Sequence, residues 1–272
     1  MPDFQPQPQD LVITVLGAHL PVRDRLVWSG GLVQLLREFG FSTAAARAAL
    51  ARLVGRGLLE RQRAGRLIHY RVTPRCAELL EEGDRRIFSL GREPNGGEQW
   101  TLLWHAIPDE RRQERGRLAR RLRFLGFGPV QDGIWIAPHD HAAELAGLIK
   151  GLGVSAHTGI LVGRPAGPID ISAVAGRAWD LEGLAERYRE FVGEFAGYTR
   201  RAGKRRLDDT EAFATRTRLA HRFRDFASLD PELPGDVGPR ATERGQAVAL
   251  FHQLYAALRP AAQRHFDEVT TP

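Results

Sequence analysis

The amino-acid sequence predicts an α+β chain with an N-terminal winged helix-turn-helix, a central ferredoxin-like β-α-β-β-α-β domain and a C-terminal helical domain. Three observations indicate this architecture. Helix-like segments precede residue 55, and a hairpin-like pair of segments follows them. Segments typical of strands and of helices then alternate from residue 100 to residue 162. From Trp179 onward the apolar residues recur at helical spacing.

The first domain contains clear start and stop signals. Ser42 is predicted to cap a helix, because a serine oxygen accepts a hydrogen bond from a free N–H group of the first turn, and Ser29 is expected to cap the helix before it. Gly57 marks a helix end, and Ala64-Gly65 marks the turn of a hairpin. The sequence predicts helices over 10–20, 30–39, 43–54 and 74–82, strands over 58–63 and 66–72, and a connector over 21–28.

Turn and breaker residues organise the rest of the chain. Asp132-Gly133 is a turn signal between two short strand-like segments, and Asp230-Pro231 separates the last two helices, since proline cannot continue a helix. The predicted elements are a loop at 91–98, a strand at 100–107, a helix at 111–125, a hairpin at 130–137, a helix at 141–150, a strand at 155–162, helices at 180–195, 209–226 and 241–258, and a basic loop at 200–206. The three domains are therefore expected at 1–90, 98–165 and 175–272.

Composition favours a cytoplasmic protein with an anionic partner. The formal net charge is +6 with a pI of about 10.2, and 37 of the 39 basic residues are arginines, which bind phosphate and guanine edges through a planar fork. No apolar run approaches the roughly 20 residues that span a bilayer, and the N-terminal segment lacks the pattern of a signal peptide. The single cysteine, Cys76, excludes an internal disulfide. We expect no membrane partner and a cytoplasmic location.

The helix predicted at 43–54 has two distinct faces when its residues are placed at about 100° intervals. The inner face, expected in the core, carries Ala46, Ala49, Leu50, Leu53 and Val54. The outer face carries Ala44, Ala45, Ala48, Ala51 and Arg52, and Arg47 lies at the boundary. Small outer residues allow a close approach to the major groove, where alanine meets thymine methyl groups and arginine forks onto guanine.

This helix and the hairpin together predict a surface for double-stranded DNA. Ser42 and Thr43 lie at the helix start, where N–H groups and hydroxyls meet a phosphate. Arginines around the hairpin turn are placed to reach phosphates or a minor groove. The predicted contacts are Ser42, Thr43, Ala44, Arg47, Ala48, Arg52, Arg61, Arg63 and Arg66.

Charge in this window has one sign. Residues 42–72 contain seven arginines and one acid, Glu60, so the window carries a formal charge of +6. A solvated surface usually mixes charges of both signs. Two alternatives remain open at this point: the arginines only solvate the surface, or the winged helix is a protein-interaction module that does not contact DNA.

Four segments of the chain resemble those of a known family: VWSGGLVQLLREFGFSTAAARAAL (27–50), ALARLVGRGLLERQRAGRLIHYRVTP (49–74), WTLLWHAIPDERRQERGRLARRLRFLGFGPVQDGIWIAPHD (100–140) and LDPELP (229–234). The resemblance is to the PaaX family of transcriptional regulators. It implies a homodimeric repressor of an aromatic-acid catabolic operon that binds a palindromic operator. It further implies release from DNA by an effector such as phenylacetyl-coenzyme A, a related acyl-coenzyme A or an aromatic compound.

A candidate effector site is expected in the C-terminal domain. An acyl-coenzyme A or aromatic acid needs arginines for its phosphate or carboxylate and an apolar aromatic slot. The residues of those types that we single out are Trp179, Tyr188, Arg216, His221, Arg222 and Arg224. An alternative for the aromatic residues is a plain core role at helical spacing. His221, bracketed by arginines, is poorly placed to carry a charge and is expected to be a neutral hydrogen-bond partner.

The central block is similar to small CRISPR-associated endonucleases as well, so a metal-dependent nuclease is the enzymatic alternative. The position that corresponds to their metal-binding aspartate holds Ala106, which cannot bind magnesium, and His105 is a poor substitute. His139, Asp140 and His141 lack a further obvious metal ligand. We therefore expect a scaffold domain for dimerisation, no catalytic residue, no metal site and no resident cofactor.

Overall fold

The computed structural model describes residues 4, 6–91, 99–168, 170–203, 207–233 and 241–272. The chain forms two compact units. Unit 1 contains Met1–Phe88, Val192–Arg224 and Ala249–Pro272, and unit 2 contains Ser89–Phe191 and Asp225–Val248. C-terminal helices therefore contribute to both units, and the division into segments at 1–90, 98–165 and 175–272 stays a prediction.

Unit 1 begins with the predicted order of three helices and a hairpin. Its elements up to residue 89 are α1 (Pro8–His19), β1 (Val27–Trp28), α2 (Ser29–Glu38), α3 (Thr43–Gly55), β2 (Leu59–Ala64), β3 (Leu67–Val72) and α4 (Pro74–Ser89). The three strands form an antiparallel sheet in the order β1-β3-β2. This is the element order of a winged helix-turn-helix, with β2 and β3 as the wing.

Local chemistry explains most of these boundaries. The Ser42 side chain accepts a hydrogen bond from the Ala45 N–H at 3.1 Å, as a helix cap does. Gly65 has a φ of +59° in the hairpin turn, a conformation that favours glycine. The cap expected at Ser29 is wrong, because Ser29 is already the first residue of α2 and Trp28 precedes it. The connector expected over 21–28 includes β1, whose two residues pair with Tyr70 and His69.

C-terminal helices complete the core of unit 1. Its later elements are the end of α8 (Leu181–Gly203), α9 (Asp209–Phe223) and the end of α11 (Ala241–Thr270). Phe223 and Phe251 stack with their ring centroids 3.9 Å apart, and both are fully buried. Gly31 of α2 lies so close to the Val269 carbonyl that a Cβ would stand 2.3 Å from its oxygen. The three helices and the wing are thus packed into one core with helices from the end of the chain.

Unit 2 contains the predicted ferredoxin-like domain. Its helices and strands are β4 (Trp100–His105), α5 (Arg112–Phe124), β5 (Gly128–Gln131), β6 (Ile134–Pro138), α6 (Ala142–Leu152), β7 (Thr158–Gly163), α7 (Ile171–Ala178), the start of α8, α10 (Phe226–Leu229) and the start of α11. The sheet is antiparallel in the order β5-β6-β4-β7, which is the ferredoxin-like order. Its core includes Leu103, Leu118, Leu122, Trp135 and Leu145. The α+β class and the β-α-β-β-α-β order are therefore confirmed.

The C-terminal helices differ from the prediction at their ends. The loop expected at 200–206 is wrong for residues 200–203, which continue α8, and residues 204–206 lie outside the described residues. α11 runs to Thr270 through Pro260 and so extends past the end expected at residue 258. Most of the loop expected at 91–98 also lies outside the described residues. Among the described residues, no helix is both long and apolar enough to cross a membrane.

Candidate nucleic-acid interface

The two faces of α3 lie as the helical spacing predicts. Ala46, Ala49, Leu50 and Leu53 are buried on the inner face, and Val54 is half-buried. The outer residues Ala44, Ala48, Ala51 and Arg52 are exposed, as is Arg47. Alanines therefore leave the outer backbone of α3 accessible to a close partner.

All nine residues predicted to contact DNA lie at the surface of unit 1. Thr43 is half-buried, and the other eight are exposed: Ser42, Ala44, Arg47, Ala48, Arg52, Arg61, Arg63 and Arg66. Six of them lie on α3 or at its N-terminal cap, and the other three are arginines of the wing. Their contact with DNA stays a prediction, whereas their accessibility is a property of the fold.

A groove joins α2, α3 and the wing. It has a volume of about 560 Å³. Its lining, which we call the α3 groove, consists of Ser29, Gly30, Val33, Gln34, Arg37, Thr43, Arg47, Leu50, Arg61, Ile68 and Tyr70. Three of these side chains are arginines and none is acidic. The groove is therefore a positively charged concave surface beside the outer face of α3.

The arginines of this region differ in how fully they are engaged. Arg37, Arg47, Arg61 and Arg66 make no side-chain hydrogen bond or ion pair with any described residue. The Nε of Arg52 donates to the Gln9 side chain at 2.9 Å, which orients the guanidinium at the surface. Unpartnered guanidinium groups keep their donors available for phosphate or base acceptors.

The wing holds its single acid in an internal pair. Arg71 donates to the Glu60 carboxylate at 2.9 Å across the β2–β3 ladder, and this hydrogen bond lowers the pKa of Glu60. Arg63 donates to the Gly65 carbonyl at 3.0 Å and so lies along the turn. Because Glu60 is neutralised by Arg71, the remaining arginines of the wing determine the sign of its potential.

Sequence reasoning missed Arg37, Gln34 and Tyr70. Arg37 and Gln34 lie on α2, where the apolar residues Leu32, Leu35 and Leu36 give the strongest helical pattern. The signal that was available is their spacing, since residues three apart share a helix face. Tyr70 pairs directly with Arg61 across the wing, and directly opposed residues of an antiparallel pair project from the same face of the sheet.

The residues predicted for an effector site are divided between the two units. Trp179 and Tyr188 belong to unit 2, and Arg216, His221, Arg222 and Arg224 belong to unit 1. The Tyr188 hydroxyl is buried and donates to the Asp230 carboxylate at 2.6 Å, and burial, followed by the Asp230 charge, raises its pKa. Trp179 donates from its indole N–H to the Gly126 carbonyl at 3.1 Å.

The four unit 1 residues bond mainly to the protein itself. Arg216 is 3% exposed and donates to the Ala18 carbonyl and, at 3.1 Å, to the Tyr255 carbonyl. Arg222 donates to Glu194 at 3.2 Å, and Arg224 donates to the Thr14 hydroxyl at 3.0 Å. Their role toward an effector stays a prediction, and the structure gives each of them a role in holding unit 1 together.

His221 is a neutral hydrogen-bond partner, in agreement with the expectation from its neighbours. Burial lowers its pKa to about 4, and the charges of Arg224 and Arg222 act in the same direction. The Thr14 hydroxyl donates to the Asp10 carbonyl at 3.0 Å and has no second proton to give. The contact of 2.9 Å between Thr14 and His221 therefore needs the proton on Nδ1 of the histidine.

The end of β4 holds no carboxylate at the position where the similar nucleases place one. Ala106 follows His105 there, and its N–H donates to the His157 carbonyl at 2.8 Å. Burial lowers the pKa of His105, and burial likewise lowers that of His141. The described residues contain no group of three or more His, Cys, Asp or Glu side chains that is arranged to hold a metal ion.

Three family models match the chain in series. The model of a PaaX-like protein matches residues 7–76, that of the PaaX protein central Cas2-like domain matches residues 93–175, and that of the PaaX-like protein C-terminal domain matches residues 179–268. No curated protein matches the chain. The solved structure of the uncharacterized protein Rv0674 from Mycobacterium tuberculosis is similar with a TM-score of 0.60 and 22% sequence identity, over 94% of this chain and 96% of that one. At this identity the likeness concerns the fold.

Proposed function

This chain belongs to the PaaX family of transcriptional regulators, and from that premise we propose that it is a sequence-specific repressor that binds an operator through α3 and the wing of unit 1. The observation that carries the proposal is the α3 groove. Arg37, Arg47 and Arg61 line it without a described acceptor, and none of its lining residues is acidic.

The geometry supports different roles for different residues of α3. The exposed alanine face of α3 allows the helix backbone to lie close to base edges in a major groove. Arg47 and Arg52 flank that face and are the residues that we expect to read guanine or to bind the adjacent phosphates. Thr43 is placed at the helix start, where the free N–H groups attract a phosphate.

The wing supports contacts that carry less sequence information. Arg61, Arg63 and Arg66 cluster around a turn of which Gly65 is the tip, and all three are exposed. We expect them to bind the DNA backbone beside the major-groove site or to enter a minor groove. Such contacts orient the protein and give binding that depends on salt.

The finer biological role follows from the family. We propose that a homodimer binds a palindromic operator, that it represses an aromatic-acid catabolic operon, and that an acyl-coenzyme A or aromatic effector releases it. Two copies of α3 on successive major grooves would explain a palindrome, since a symmetric dimer reads the same half-site twice. The protein is then a binding protein without a catalytic residue.

The test is DNA binding by the purified full chain. A labelled fragment from upstream of its own gene cluster is compared with a shuffled fragment of the same length, by fluorescence anisotropy over a series of salt concentrations. We expect selective binding whose affinity falls with salt. Arg47→Ala and Arg52→Ala should each reduce affinity for the operator by about 1–3 kcal/mol and relax the preference over shuffled DNA.

A matched control removes the same charge elsewhere in unit 1. Arg85 of α4 is exposed, lies outside the α3 groove and forms an ion pair with Glu82, so Arg85→Ala should leave affinity nearly unchanged. If Arg85→Ala weakens binding as much as Arg47→Ala, the attraction is general and the α3 surface is not the reading surface. If no upstream fragment is bound selectively, the proposal fails and the protein-interaction alternative replaces it.

A further inference from the structure

Unit 2 contains a pocket of about 260 Å³ at the junction of its ferredoxin-like domain and its first C-terminal helices. The end of α5, the start of β5, the α7–α8 junction and α10 surround it. We call it the Trp179 pocket and describe it by Arg123, Phe127, Trp179, Leu184, Arg187 and Leu229, which are among its lining residues. Of the residues predicted for an effector site, Trp179 is among this lining.

The wall formed by Trp179 is fixed in place. Its indole N–H donates to the Gly126 carbonyl at 3.1 Å, and its ring lies 6.4 Å from that of Trp100. A Cβ on Gly128 would stand 2.6 Å from the Trp179 ring, so the strand and the indole pack as closely as glycine allows. A preformed wall reduces the ordering cost of binding a ligand.

The interior offers apolar surface for a flat group. Phe127 and Leu184 are buried, and Leu229 is 42% exposed. Trp179 is half-buried, so part of its ring faces the pocket. Aromatic and aliphatic walls of this kind are typical of small-molecule sites.

The rim carries a small positive charge. Arg123 and Arg187 are exposed and form no ion pair with the described residues, and the Arg123 guanidinium lies 5.2 Å from the Trp135 ring centroid, a contact that orients it. Asp180 is the acid among the lining residues, and its Oδ1 accepts the Gly183 N–H at 2.9 Å as part of the start of α8. Two arginines and one aspartate favour a ligand with a single negative charge.

Volume sets the size of that ligand. Pockets for drug-sized molecules measure about 300–1,000 Å³, and the Trp179 pocket is smaller. A coenzyme A thioester is far larger and carries several negative charges, so neither its size nor its charge suits this pocket. A small acid with one ring suits both the volume and the charge of the pocket.

We propose that the Trp179 pocket binds a small monocarboxylic acid with a flat apolar group, its carboxylate at Arg123 and Arg187 and its ring against Trp179. This site would distinguish the free acid from its thioester as the effector. Its role as an effector site rests on the proposed function, whereas binding of the acid is independent of it.

The test is calorimetric titration of the full chain with benzoate, phenylacetate and 3-phenylpropionate. Acetate, which lacks the ring, benzyl alcohol, which lacks the charge, and phenylacetyl-coenzyme A serve as comparison ligands. We expect at least one of the aromatic acids to bind more tightly than every comparison ligand. Arg123→Ala and Arg187→Ala should each weaken its binding by about tenfold or more, the effect of losing one charge-assisted hydrogen bond. Arg117→Ala, an exposed arginine of α5 outside the pocket, should have no effect.

Tryptophan fluorescence shows where the acid binds. The chain has five tryptophans, and replacing the one in the pocket, Trp179→Phe, should abolish the change in emission that the acid causes. The proposal is overturned if no acid binds, if the thioester binds and the acids do not, or if both arginine variants bind the acids as the unaltered chain does. DNA binding is measured in parallel. Acid binding without selective DNA binding would support the pocket and contradict the proposal that the chain is a repressor. Selective DNA binding without acid binding would contradict only the proposal for the pocket.

Discussion

The arginines of the α3 groove and Arg216 of α9 belong to the same unit but have opposite surroundings. Arg37, Arg47 and Arg61 are exposed and have no described side-chain partner. Arg216 is 3% exposed, donates to the carbonyls of Ala18 and Tyr255, and lies with its guanidinium carbon 3.7 Å from the Tyr255 ring centroid. One residue type thus serves two purposes, and the surroundings determine which.

Desolvation explains the difference. A buried guanidinium must replace its water with fixed acceptors, because an unpaired buried charge is very costly. Burial lowers the pKa of Arg216, and the carbonyls of α1 and α11 offset the loss of hydration. Arg216 therefore joins α9 to two other helices. The exposed arginines keep their hydration and can exchange it for phosphate.

His19, which contacts the buried Arg216, has an equally ordered set of hydrogen bonds. It is fully buried, and burial, followed by the charge of Arg216, holds its pKa well below the usual range. Arg216 can only donate, so the 3.3 Å contact makes His19 Nδ1 an acceptor and leaves the proton on Nε2. Nε2 then donates to the Thr217 hydroxyl at 2.8 Å. The contacts with Arg216 and Thr217 therefore fix one neutral tautomer of His19 beside a charged arginine.

The largest expected effect tests the buried arginine. Arg216→Met should lower the free energy of unfolding by about 3–5 kcal/mol, because it removes two charge-assisted hydrogen bonds, to the carbonyls of Ala18 and Tyr255, each worth about 1.5–3 kcal/mol. Urea denaturation followed by circular dichroism measures the change. Arg47→Met is the matched control and should stay within about 0.5 kcal/mol of the unaltered chain. Equal destabilisation by the two variants would show that burial does not distinguish the role of Arg216 from that of Arg47.

Sequence patterns predicted one side of this comparison and carried no signal for the burial of Arg216 on the other. The faces of α3, the wing and the ferredoxin-like order depend on local periodicity, which a sequence displays directly. The burial of Arg216 depends on α1, nearly 200 positions away, and the sequence alone made it resemble a ligand-binding arginine. Arg37 was overlooked because the other arginines that line the groove come from α3 and β2. Contacts distant in sequence leave no periodic signal.

A second, smaller effect is the pH dependence of stability that comes from His221 and His19. His221 has a folded pKa of about 4 against 6.5 for an ordinary histidine, and the pKa of His19 is also lowered. The unfolded chain therefore binds more protons than the folded chain between these values. Stability should be fully present above pH about 6.5 and should fall as pH drops toward about 4, by at most about 1.4 kcal/mol per pH unit for each histidine.

His221→Asn isolates this contribution. The asparagine amide retains an N–H donor for the Thr14 hydroxyl but does not titrate. Urea denaturation at pH 4.5, 5.5, 6.5 and 7.5 should show a shallower loss of stability for the variant, and carboxylate effects cancel in the difference between the two proteins. Identical pH slopes would mean that His221 is charged in the folded chain, contrary to its place beside Arg224 and Arg222.

The smallest expected effect concerns Arg37, the groove residue that lies on α2. If it binds one phosphate, Arg37→Gln should reduce the slope of log affinity against log salt by about one for each phosphate that the variant no longer binds, counted over the dimer, and should weaken operator and shuffled DNA alike. Arg47→Ala, in contrast, should weaken the operator more than shuffled DNA. Anisotropy titrations at four salt concentrations separate the two patterns. A loss of sequence preference with Arg37→Gln and an unchanged salt slope would place Arg37 at a base edge, and the reading surface would then include α2 as well as α3.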